Sequence, residues 1–153
     1  DLILEVAEIR AMEDLPGLIR VINACQKLGV KFILDNFGTG YSSLNCLKCL
    51  PVSQLKIDQS IIRDLLDDPD DRSLLEGILG LATAFRVDVI AEGVETVEQG
   101  TQLRKLGCDQ AQGYVIARPM PADQLPGWSG YLATRSDLGG AAFARGLTLK
   151  RAH

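Results

Sequence analysis

The stretch LDNFGTGYSSL, Leu34 to Leu44, decides the reading. It closes the apolar run VKFILD, Val30–Asp35, which has the content of a buried strand. The strand ends on an acid, an asparagine follows, and Gly38 and Gly40 bracket Thr39. Ser42 opens a short helical run to Leu50, which Pro51 ends. On a regular strand, Asp35 and Asn36 would point to opposite faces. They can serve one site only if the backbone leaves the strand there, and Gly38 and Gly40 supply that freedom. The unhindered N–H groups of such a turn can also approach a phosphate, although Gly-Thr-Gly alone is a weak phosphate signal.

Outward from this stretch, strand-like and helix-like segments alternate. Strands are expected at Leu2–Val6, Val30–Asp35, Gln54–Asp58, Val87–Glu92 and Gln110–Ile116. Helices are expected at Leu15–Leu28, Ser42–Leu50, Ser60–Leu66, Asp71–Phe85 and Val97–Leu106, with Gly29 and Gly107 as stops. The acidic turn Asp67–Asp71 reads as a solvated, helix-capping turn. This rhythm argues for an α/β architecture with a parallel sheet. From about Ala133 the pattern lapses, and residues 133–153 read as a flexible C-terminal extension.

The chain has 153 residues, 46% hydrophobic and 24% charged, with a net charge of -4. This suits one soluble globular domain or part of one. No dominant basic surface is available for a nucleic-acid polymer or an anionic membrane. No apolar run approaches the roughly 20 residues of a membrane span. No signal peptide is visible, and the chain opens inside a strand, which suggests a piece of a larger domain. Of the four cysteines, Cys46 and Cys49 have CxxC spacing, but a metal site would need a second pair or histidines, and His153 is the sole histidine. Cys25, Cys46, Cys49 and Cys108 are read as thiols packed in a reducing cytoplasm.

The strand ends carry the chemistry. Glu5, Asp35, Lys56 with Asp58, Glu92 and Gln112 each lie at or near the C-terminal end of a strand, one βα unit apart. Parallel strands turn all those ends the same way, so the side chains would converge on one mouth. Any one strand-end acid is most simply a helix N-cap. Carboxylates, a lysine and an amide together point instead to hard-cation chemistry with oxygen ligands. Lys56 and Asp58 are two apart and would share a face.

Together these residues resemble the EAL domain family, phosphodiesterases and receptors of cyclic di-GMP. The family's D-D-F-G-T-G-Y-S-S-L is similar to Asp35–Leu44, with Asn36 in place of the second aspartate. K-x-D is matched by Lys56-Ile57-Asp58, E-G-V-E by Glu92–Glu95 and Q-G-Y by Gln112–Tyr114. The family's E-[IV]-T-E is matched by Glu5–Glu8 with Ala7 replacing threonine, and Arg118–Pro121 resembles its closing segment. Several motifs in order, over residues 2–127, are far more specific than any one of them.

The resemblance implies a TIM-like (β/α) barrel, with residues 1–132 as the C-terminal portion of an EAL domain; the alternative is an open parallel α/β sheet. Such barrels need about 250 residues, and the Glu-Ala-Leu motif itself has no counterpart here. A half barrel would expose sheet edges, which suggests a homodimer. By analogy, Glu5, Asp35, Asn36 and Asp58 would bind Mg²⁺ or Mn²⁺, as two ions of which the second is weakened by the charge missing at Asn36. Lys56, Asp58 and Glu92 would be catalytic. Gln112, Gly38, Thr39 and Gly40 would bind substrate, and Glu8 would anchor the 35–44 loop. Glu95 reads better as a helix-start residue than as a ligand, and Tyr114 as core rather than a base-stacking residue. The implied reaction is hydrolysis of cyclic di-GMP to linear pGpG in a cytoplasmic bacterial signalling protein fused to upstream sensor or GGDEF domains. The alternative is a weakened EAL domain acting as a cyclic di-GMP receptor or protein-interaction module.

Overall fold

Five parallel strands lie side by side in chain order: β1 (Ile3–Ala7), β2 (Lys31–Phe37), β3 (Gln54–Ile57), β4 (Asp88–Glu92) and β5 (Gln110–Gln112). A right-handed crossover that always steps to the next neighbour places every helix on the same face of the sheet. A doubly wound sheet reverses direction midway and covers both faces. No reversal occurs among the described strands, so the sheet is an arc of barrel wall rather than the open alternative. The computed structural model describes residues 2–11, 13–39 and 43–134.

The helices are α1 (Glu8–Ala11), α2 (Leu15–Gln26), α3 (Ser43–Cys49), α4 (Gln59–Arg63), α5 (Pro69–Phe85), α6 (Val97–Lys105) and α7 (Leu125–Thr134), the last preceded by a 3₁₀ turn at Ala122–Gln124. Their starts are written locally. Asp14 caps α2 through Gly17 N at 2.9 Å, and Asp68 caps α5 through Asp70 N at 2.8 Å, with Pro69 inside the first turn. Thr96 and Gln99 form a reciprocal capping box on α6. Gln99 is buried and also spends its amide on the Ile62 and Arg63 carbonyls, at 3.1 and 3.2 Å, which ties α6 to the end of α4.

The core lies between the sheet and these helices. Leu34, Leu55, Ile57 and Ala91 leave one sheet face and pack with Ile61, Ile62, Leu75, Ile78 and Leu103. Burial of this one face supplies the main driving force, about 25 cal/mol per Å² of apolar surface.

Three expectations need correction. The fifth strand ends at Gln112, not Ile116. Gly113 lies so close to the Val94 backbone that a Cβ there would sit 2.1 Å from Val94 O, and the chain then folds into a turn in which Ile116 N and Ala117 N donate to Gly113 O at 3.0 Å. Helix α5 begins at Pro69 rather than Asp71, because Asp68 supplies the cap. Helices α1 and α7 were not expected; α7 runs to Thr134, past the boundary expected at 132. The rest of the expected extension, residues 135–153, lies outside the described residues. Among the described residues, no helix is long and apolar enough to cross a membrane.

Candidate active site

Strand register decides which side chains meet. Glu5 pairs with Ile33, Ala7 with Asp35, Lys56 with Ile90 and Glu92 with Gln112. Paired residues in a parallel sheet share a face, and residues two apart on a strand share it too. Glu5, Asp35, Lys56, Glu92 and Gln112 therefore stand on the face opposite the helix-packed core.

Lys56 is the hub. It is only 4% exposed, yet it is a lysine on a strand. Its Nζ touches the Glu92 carboxylate directly, donates to Glu5 Oε1 at 3.3 Å and lies 3.6 Å from Asp35 Oδ1. The three carboxylates come from three other strands and each keeps about a fifth of its side chain exposed. Burial by itself would lower the Lys56 pKa. The hydrogen bond and charge of Glu92, followed by the charges of Asp35 and Glu5, outweigh it and hold the ammonium above its ordinary value.

Three carboxylates around one ammonium leave an excess of negative charge. Asp35 Oδ1 is buried and accepts no hydrogen bond, an unsatisfied acceptor in a site of oxygen donors. In donor type and charge the group fits a hard divalent cation. Its present spacing follows Lys56: among the described residues no three Asp, Glu, His or Cys side chains converge as a ready-made metal cluster.

The turn after Asp35 is built differently from the expectation. Leu34 pairs with Leu55 and Phe37 with Ile57, so Asp35 and Asn36 together oppose the single residue Lys56. This is a β-bulge. Asn36 itself takes the left-handed conformation, φ 56°, and Gly38 follows at φ 99°. The departure from the strand thus begins at Asn36, before the glycines. Gly38 N donates to Glu8 Oε2 at 3.2 Å, from a glutamate that is almost wholly buried. Thr39 Oγ1 donates back to Asn36 O at 3.1 Å and closes the turn. Gly40 lies outside the described residues.

Asp58 occupies a different place from the other acids. Its Oδ1 accepts from Ser60 N at 2.8 Å and caps α4. It is not among the ion-pair partners of Lys56 in the described residues. Gln112 is exposed at the end of β5, in register with Glu92. Tyr114 is corrected from core to surface: it is 58% exposed, and the Arg118 guanidinium lies 4.8 Å from its ring centroid. Glu95 precedes the Thr96 cap, and its N–H bonds Gln99 Oε1 at 2.9 Å.

Sequence reasoning missed Gln54 and Gln110. On the polar face, Gln54 stands one layer below Lys56 and Gln110 is level with Lys56 through Ile90, and the two bridge β3 to β5 through a 3.1 Å amide contact. The two-residue spacing of Gln54 from Lys56 and of Gln110 from Gln112 was the available signal. A cleft of about 620 Å³ opens at the other end of the sheet, lined in part by Glu76, Arg86, Asp88 and Cys108, and contains none of the acid–lysine group. All four cysteines are free. Burial, then the Glu8 charge, raises the Cys46 thiol.

A family model for the EAL domain matches residues 1–119. The chain belongs to the EAL domain family. The bifunctional diguanylate cyclase/cyclic di-GMP phosphodiesterase MucR of Pseudomonas aeruginosa is 45% identical over 124 residues, which cover 81% of this chain and 18% of MucR. The oxygen sensor protein DosP of Escherichia coli is 40% identical over 127 residues, 83% of this chain and 16% of DosP. The chain thus spans a small part of the curated relatives it matches. Among solved structures, the PaMucR phosphodiesterase in complex with c-di-GMP superposes with a TM-score of 0.76 at 45% identity, over 81% of this chain and 50% of that one. The manganese and cyclic di-GMP complex of Klebsiella pneumoniae BlrP1 superposes with a TM-score of 0.72 at 28% identity, over 76% of this chain and 30% of that one. The EAL-type barrel expected from the motifs is the fold to which this five-stranded arc belongs.

Proposed function

We propose that this EAL chain, within its intact domain, serves the metal-dependent hydrolysis of cyclic di-GMP to linear pGpG. The observation that carries this reading is the buried Lys56 ammonium held among Glu5, Asp35 and Glu92 at the C-terminal ends of four parallel strands. Similarity to MucR and to the complexes of PaMucR and BlrP1 supports the substrate class and the use of a divalent ion.

In the reaction, water attacks one phosphorus. A P–O bond to water forms, the P–O3′ bond breaks, and the 3′ oxygen leaves with a proton. Lys56 carries a fixed positive charge beside the scissile phosphate and stabilises the charge that develops there. Glu92 and Asp58 orient the attacking water and receive its proton. Glu5 and Asp35, with Asp58, would hold Mg²⁺ or Mn²⁺, which when bound lowers the pKa of water and neutralises phosphate charge. Gln112, Gly38 and Thr39, with Gly40, would bind the ligand, while Glu8 holds the loop through Gly38.

The test is turnover of cyclic di-GMP by the full-length parent protein with Mg²⁺, Mn²⁺ or EDTA, beside binding of the same ligand. Conversion to pGpG that EDTA abolishes supports the reading. Binding without turnover under every metal would replace it with the receptor reading, to which Asn36 lends the only sequence support.

A further inference from the structure

Asp35 and Phe37 present a parity problem. They are two residues apart, so a regular strand would turn them to one face. Yet Asp35 meets Lys56 on the polar face, and Phe37 is 1% exposed in the helix-packed core beside Ile57. The register solves this: the pairing slips by one residue between Leu34 and Phe37, and Asn36 is the residue that absorbs the slip, at φ 56°. A one-residue slip exchanges the faces of everything beyond it.

We propose that Asn36 is a positioning residue, whose left-handed backbone keeps the Asp35 carboxylate at Lys56 while sending Phe37 into the core. It rests on the proposed hydrolysis only in so far as Asp35 serves that reaction. Asparagine is one of the few side chains that enter this conformation readily, and β-branched residues do so least. The turn that follows is locked from both sides of the switch. Thr39 Oγ1 bonds the Asn36 carbonyl at 3.1 Å, and Gly38 N bonds Glu8 at 3.2 Å. Phe37 O accepts from Asp58 N at 3.3 Å, which joins the bulge to the cap of α4. An asparagine in place of the family's aspartate therefore keeps the backbone device while giving up a charge.

The experiment compares Asn36→Gly, Asn36→Ala and Asn36→Val in the full-length protein by two readouts. One is hydrogen exchange at the Gly38 amide relative to the Leu75 amide in α5; the other is Mn²⁺ binding followed by EPR. Glycine keeps the left-handed backbone and removes the side chain, so Asn36→Gly should retain Gly38 protection and Mn²⁺ affinity near the parent's. Asn36→Ala should lose protection at Gly38 by roughly five- to thirtyfold more than at Leu75, with Mn²⁺ affinity falling alongside. Asn36→Val should lose more, and Asn36→Ala carries the test if the valine variant does not fold. Equal loss of Mn²⁺ affinity in the glycine and alanine variants, with Gly38 protection intact, would overturn the proposal and make the Asn36 side chain a ligand. Unchanged Gly38 protection in Asn36→Ala would overturn it as well. If the parent neither binds Mn²⁺ nor hydrolyses cyclic di-GMP, the proposed function fails while Gly38 exchange still decides the role of Asn36.

Discussion

Lys56 and Glu92 form a buried contact ion pair between adjacent parallel strands, and two further carboxylates lean on the same ammonium. Removing a charge from such a group leaves its partners uncompensated, which costs about 3–5 kcal/mol for a fully buried pair. Here the acids remain about a fifth exposed, so water recovers part of that cost. Lys56→Met should destabilise the protein by about 1–3 kcal/mol and lower hydrolysis roughly 10²–10³-fold. Mn²⁺ should raise the Tm of Lys56→Met more than that of the parent, because a cation then replaces the missing ammonium. Thermal unfolding with and without Mn²⁺ checks this, and an equal shift in both proteins would contradict it.

Glu8 is a buried acid far in sequence from the loop it holds. Glu8→Ala leaves the Gly38 N–H without its acceptor, a loss of about 1–3 kcal/mol. Glu8→Gln keeps an acceptor oxygen and should recover more than half of that loss. Urea unfolding of the two variants measures the difference. The loop should also become more open to proteolysis near Thr39 in Glu8→Ala alone.

Much of this was legible before the structure. Strand–helix alternation placed all five strands, because each buries one apolar face and is punctuated by glycine, proline or a capping acid. The strand-end residues Glu5, Asp35, Lys56 and Glu92 were findable because parallel strands turn their C-terminal ends one way. What escaped depends on contacts between distant segments. The early end of β5 follows from Gly113 meeting Val94, which no local pattern encodes. Lys56 and Asp58, two residues apart, were expected to share a face. Instead Asp58 turned to cap α4, and Lys56 found acids on three other strands. The bulge at Asn36 was half visible: the need to leave the strand could be read, but the residue responsible could not.

Gly113→Ala tests the close approach that ends β5. The added Cβ would sit 2.1 Å from Val94 O and 2.3 Å from Val94 N, both backbone atoms that cannot swing aside. The loop and β5 must separate, at a cost of about 1–3 kcal/mol. Because Val94 N bonds Gln112 O at 3.1 Å, the same separation should displace Gln112. We expect weaker cyclic di-GMP binding with the Mn²⁺ affinity retained, read by calorimetry with each ligand. Loss of Mn²⁺ binding in step with the nucleotide would contradict the assignment of Gln112 to the nucleotide and of Glu5 and Asp35 to the ion.

Cys108 gives a pH dependence independent of the site. Burial pushes its thiol up from 9.0 to about 11, with hydrogen bonds to backbone groups opposing the shift only in part. The charged thiolate is thus disfavoured in the folded protein and free to form in the unfolded chain. Below about pH 9 both states hold the proton, and the thiol has no effect on the pH slope. Between about pH 9 and pH 11 the unfolded state loses its proton first, so stability falls as pH rises, by up to about 1.4 kcal/mol per unit. Cys108→Ala should flatten that slope while lowering stability at pH 7 through the small cavity it leaves. Urea unfolding of both proteins from pH 7 to pH 10.5 measures it, and an unchanged alkaline slope would place the responsible group elsewhere. The same burial makes Cys108 slow toward thiol reagents at pH 8, whereas the exposed Cys49 should react first.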